Sequence, residues 1–137
     1  MRIARAVPLA ALALVLSACA SASPKPSLEC LVPDSGLGQR IAMGASGAAI
    51  EPVALSAVKA PALKDAYLVG MTFTAAGVEG DQRGVWAVGS LADEPGLIAA
   101  VDGFAQSFTT WPSQVAGQQF NVNEPGAKDA LACLDAG

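Results

Sequence analysis

Apolar side chains fall at every second position from Tyr67 through Val69 and Met71 to Phe73, and this period of two marks Ala66–Thr74 as a β-strand. Three shorter stretches, Val53–Lys59, Val85–Gly89 and Leu97–Val101, read as further strands. The links between them are turn-rich: Pro61–Asp65, the glycine-rich Gly77–Gly84, and Asp93–Gly96. Such short spacing favours an antiparallel meander.

Helical periods frame the strands. In Cys30–Met43, Pro33 and Asp34 suit a first turn and Arg40 a last one, Leu37 and Ile41 share a face, and Gly44 and Gly47 end the run. Asp102 can cap a short helix in which Phe104, Phe108 and Trp111 recur at helical spacing, with Pro112 as the stop. A loop through Gly117 follows, and Asn123 then caps a last helix, Glu124–Ala136, striped by Ala127, Leu131 and Leu134. The expected fold class is α+β: a four-stranded antiparallel sheet with the N-terminal helix and both C-terminal helices packed on one face.

The start of the chain follows other rules. Arg2 and Arg5 precede Val7–Leu16, an apolar stretch of about ten residues, which with small residues at its end makes a secretory signal. The stretch is too short to cross a bilayer, for which about 20 apolar residues are needed. Its end, Leu16-Ser17-Ala18-Cys19, resembles the lipobox of bacterial lipoproteins. The resemblance implies cleavage before Cys19, diacylglycerol on the Cys19 thiol, and a place on the extracytoplasmic face of the cell membrane. Residues 1–18 are then the signal peptide, 19–29 a Ser/Pro tether and 30–137 a single domain. Pro24 and Pro26 favour an extended tether, reaching roughly 30 Å at most.

Lipid on Cys19 leaves Cys30 and Cys133, and an even remainder in an exported domain favours a disulfide between them. Removing Arg2 and Arg5 leaves six basic residues against twelve acids. An acidic domain is a poor partner for nucleic acid, whose phosphates call for a basic patch.

Candidate chemistry is sparse. The chain has no His, so His-based triads and the usual zinc sets are out of reach, and no cofactor or metal site is expected. Glu79 with Asp81 and Asp93 with Glu94 are the close acid pairs; both sit in turns, where acids are usually solvated, and lack the pattern of a calcium loop. Ser56 and Lys59 are three apart in a strand and point to opposite faces. Trp111 belongs with the Phe104–Phe108 stripe. Trp86 admits two places: the core, or an outer sheet face where Leu68 and Ile98 would join it in an apolar patch of the kind that marks interfaces. The candidate interaction surface is therefore Trp86, Glu79, Asp81, Asp93 and Glu94.

Segments from Ser56–Lys59 through Ala66–Gly70, Gly84–Ala87 and Ala100–Ala105 to Trp111 are similar to small lipoproteins of actinobacteria and of the phages that infect them. That resemblance implies a compartment and a fold rather than an activity; the phage connection suggests exclusion of superinfecting phage. The first functional expectation is a non-enzymatic, membrane-anchored protein that binds a protein partner close to the bilayer. The second is a carrier or chaperone for a small apolar or envelope ligand, in a cavity lined by Tyr67, Met71, Phe104 and Trp111. The third is an enzyme acting on envelope polymers, for which the chain lacks acid–base equipment.

Overall fold

The computed structural model describes residues 26–136, so the signal sequence, Cys19 and most of the tether lie outside the described residues. The central strand is β2 (Tyr67–Ala75), flanked by β1 (Ile50–Lys59) and β3 (Gln82–Val88), with β4 (Ile98–Ala100) beyond β3. All neighbours are antiparallel, in the order β1-β2-β3-β4, so the expected α+β class and meander hold. β1 starts three residues earlier than its pattern predicts. Pro52 lacks an N–H, and the register shifts between Pro52 and Ala54, which leaves Val53 unpaired and exposed at a bulge.

The helices do not share one face of the sheet. Leu37 and Ile41 of α1 (Ser35–Ala42) and Ala105 of α2 (Gly103–Phe108) pack with Val69, Met71, Phe73, Trp86 and Val88. Ala127, Ala130 and Cys133 of α3 (Ala127–Asp135) pack instead with Val58, Leu68, Val85, Ala87 and Val101. Successive strand residues point to opposite faces, so these two sets are the two sides of one sheet. The reason is visible in β2 and β3, whose intervening positions are as buried as the alternating ones. A sheet apolar on both faces needs cover on both.

Local chemistry moves the helix boundaries. Leu31 exchanges backbone hydrogen bonds with Ala57 at the edge of β1, so α1 begins only after Asp34, whose carboxylate accepts from Gly36 N. Helix α2 ends at Phe108 because Thr109 turns extended and bridges to Ala45, so Trp111 lies outside it. Helix α3 starts after Gly126, in the left-handed region, rather than at Asn123. Within the expected loop before it, β5 (Gln114–Val115) and β6 (Gln118–Gln119) form a small hairpin, turned by Ala116 and Gly117 at positive φ.

Both ends of the domain are fastened. Cys30 and Cys133 form a disulfide with a Cα–Cα distance of 5.6 Å across 103 residues of sequence. Ahead of it, Ser27 donates from both N and Oγ to Asp129 Oδ1 at 2.7 and 2.8 Å, and Leu28 packs against the α3-side core. Ser27 and Leu28, counted with the tether from composition, are thus part of the packed domain. Among the described residues no helix is long and apolar enough to cross a membrane.

Two outcomes test this architecture. The folded protein, isolated without reductant, should show no free thiol at Cys30 or Cys133 by non-reducing mass spectrometry, and Cys133→Ser should lose about 2–5 kcal/mol in urea unfolding. A Cβ on Gly70 would come within 2.6 Å of the Ala130 carbonyl oxygen of α3. Gly70→Ala should therefore push α3 off the sheet and cost about 1–3 kcal/mol; an unchanged melting curve would contradict the close approach.

Candidate binding groove

The geometry of one site follows from the shortness of β4. It pairs with β3 only at Trp86, Ala87 and Val88. Val101 N–H then reaches the Val85 carbonyl at 2.9 Å, and the next residue, Asp102, turns the chain away. Asp102 Oδ1 accepts from Val85 N at 3.2 Å and from Ala105 N at 2.9 Å. One carboxylate oxygen thus extends the sheet ladder by a rung and caps α2. Asp102 is 6% exposed. Burial pushes its carboxyl above the ordinary range, against the pull of the Ala105 and Val85 N–H groups.

Helix α2 turns Ala105 inward and leaves Phe104 outward, 53% exposed. Beside it, Val122 emerges from the segment after Phe120, which is itself anchored in the core. Leu131 of α3 and Arg83 of β3 complete the walls of a groove of about 530 Å³ with Asp102 among its lining residues. Arg83 forms a two-pronged ion pair with Asp135 at the end of α3, at 2.6 and 3.0 Å. Its hydrogen bonds hold the Asp135 carboxyl below the usual range. The pair is exposed and positions the guanidinium more than it stabilises the fold.

The sequence-derived candidates scatter. Trp86 is fully buried, edge-on to Phe73 with ring centroids 5.9 Å apart, and its Nε1 donates to Thr109 Oγ1 at 3.1 Å. It belongs to the core, and the proposed patch fails because Leu68 points to the other side of the sheet. Glu79 and Asp81 are exposed in the β2–β3 turn, and the negative charge of Asp81 acts on Arg83, so Asp81 lies toward the groove. Asp93 and Glu94 are elsewhere: Arg40 Nε donates to the Asp93 carbonyl at 3.0 Å, and Glu94 lines a separate hollow of about 260 Å³ with Arg40 and Trp111. Phe104 and Trp111 therefore line different depressions, while Met71 is sealed in the core. Among the described residues no group of three or more potential ligands could hold a metal ion.

The sequence pattern does not reveal the groove. Asp102 was legible as a cap, but its burial was not, and Phe104 looked like one member of a buried stripe. Phe108, four residues on, does pack inward, its ring 5.2 Å from that of Phe73. What the groove offers chemically is an apolar wall, a buried carboxylate and the Arg83–Asp135 ion pair with Asp81 nearby.

Glu124 is a second buried carboxylate, outside the groove lining, and its Oε1 has no hydrogen-bond partner among the described residues. Burial raises its carboxyl above the ordinary value of 4.5. The folded chain thus holds this proton more tightly than the unfolded chain. Its contribution to stability is fully present below the unfolded value and is lost as pH rises through the folded value. Glu124→Gln should accordingly melt at a higher temperature than the parent protein at neutral pH, with the two converging below about pH 4. Equal melting temperatures across that range would contradict the burial of a charge. Compared with known proteins, the chain matches no family model, no curated protein and no solved structure.

Proposed function

We propose that the chain is a lipid-anchored, extracytoplasmic binding lipoprotein, and that it meets a protein partner close to the membrane through the Phe104 groove. The observation that carries this reading is the groove itself, a preformed apolar depression with half-exposed Phe104 and Val122 and a buried carboxylate. Exposed apolar groups clustered beside a few convergent polar ones are the usual form of a recognition site. Among the described residues no second titratable side chain is hydrogen-bonded to Asp102, which favours binding over catalysis.

The anchor rests on Leu16–Cys19, and the disulfide suits an exported domain. The course of the chain adds an orientation. Leu28 sits with Pro61 near Gly126, at the β1–β2 turn, whereas Asp81 and Arg83 stand at the opposite end of the strands. Residues 19–25 could reach roughly 23 Å when extended. A domain held this way keeps its β1–β2 turn toward the bilayer and turns the groove rim outward, toward a neighbouring membrane protein or an incoming phage component. Superinfection exclusion is the form such binding would take if the partner comes from a phage.

A carrier of a small apolar ligand is the second reading, favoured by the groove volume of about 530 Å³, within the usual range for small-molecule sites. It would use the surface groove, since Met71, Phe73 and Trp86 fill the interior.

A photoreactive residue at position 104, in cells bearing the native membrane, should crosslink to a discrete protein, while one at the exposed Val53 should not. Cys19→Ala should abolish lipid labelling and release the protein or leave it uncut. Labelling that survives Cys19→Ala, or identical crosslinks from both positions, would overturn the proposal.

A further inference from the structure

We infer that the groove takes an extended peptide segment of mixed basic and apolar character, which pairs with the open edge of β3 at Arg83 and sets an apolar side chain among Phe104, Val122 and Leu131. This deepens the binding reading above and rests on it. The first ground is backbone register. The N–H and carbonyl of Val85 face away from β2, because Asp102 and Val101 take them up. In an antiparallel ladder, groups two residues apart on a strand face the same way. The N–H and carbonyl of Arg83 therefore face this edge too. β4 does not extend that far, and no backbone group among the described residues pairs with Arg83 there. An unpaired strand edge is a template for another extended chain.

The second ground is position. Arg83 also lines the groove, so a chain laid on this edge runs along the opening between Phe104 and Leu131. A small amphiphile could use the apolar wall, but it would leave the backbone edge unused. The third ground is charge. The guanidinium of Arg83 is already engaged by both oxygens of Asp135. The nearby turn adds exposed Glu79 and Asp81. Asp102 adds a carboxylate to the groove lining itself. Lys or Arg flanking the apolar residue would meet these acids, and that complementarity also disfavours a second copy of this acidic chain.

The test uses the full lipidated chain in lipid nanodiscs and labelled five-residue probes: Lys-Val-Phe-Val-Lys, its Glu-ended counterpart, and the Lys-ended peptide with N-methylated central amides. Fluorescence anisotropy should show saturable binding of the Lys-ended peptide alone, weakened about tenfold or more by Phe104→Ala or Val122→Asp. Hydrogen exchange should slow at the Arg83 amide when that peptide is bound. Equal binding of the N-methylated peptide would overturn the edge pairing, as would displacement by dodecylamine without any change at Arg83. No binding of any probe would overturn the proposal as a whole. Sedimentation showing a dimer that Phe104→Ala dissociates would assign the groove to a second copy instead. Failure of the chain to enter nanodiscs would strike at the anchor alone, since the same binding can then be read in free solution.

Discussion

The whole arrangement follows from a central strand pair that is apolar on both sides. Val69, Met71 and Phe73 of β2 with Trp86 of β3 demand cover on one face, and Leu68 of β2 with Val85 and Ala87 of β3 demand it on the other. A chain of this size meets both demands by sending α1 and α2 to one side and α3 to the other. Gly70 admits the backbone of α3 to the sheet, because a side chain there would collide with the Ala130 carbonyl. The interior that results is filled by side chains, and its depressions lie at the surface.

Asp102 links this packing to the site. It stands where β4 stops, completes the Val85 rung with its side chain and starts α2 in the same step. A short β4 therefore has two effects: it leaves the Arg83 edge uncovered, and it brings Phe104 alongside that edge. Burying a carboxylate is costly unless it is hydrogen-bonded, and here backbone N–H groups, those of Val85 and Ala105 among them, offset the cost.

The strands were legible because side-chain alternation in Tyr67–Phe73 and the turns between apolar runs are local signals. The distribution of helices over two faces was not. The second face of β2 is made by Leu68, Gly70 and Thr72, a set too small and mixed to announce a buried surface. Trp86 was ambiguous for the opposite reason: it sits in Val85–Val88, where every residue is apolar and alternation carries no information. The spacing of Phe104, Phe108 and Trp111 predicts a helix one turn longer than α2, because it keeps the helical period across Thr109, which leaves the helix to bridge Ala45. The groove draws on residues 83, 102–107, 122 and 131, and only the three-dimensional fold could bring them together.

The disulfide has a mechanical consequence. Tension arriving from the N-terminal side first meets the Ser27–Asp129 hydrogen bonds and the packing of Leu28, which can give way. At Cys30 the load passes through a covalent bond into Cys133 near the end of α3. It then has no need to travel along β1, so the Leu31–Ala57 bridge and the β1–β2 ladder are shielded from unzipping. Two residues beyond Cys133, Asp135 grips Arg83 at the groove. A taut N-terminal segment would thus pull on the end of the helix that braces the groove wall, while the sheet behind it stays unstrained.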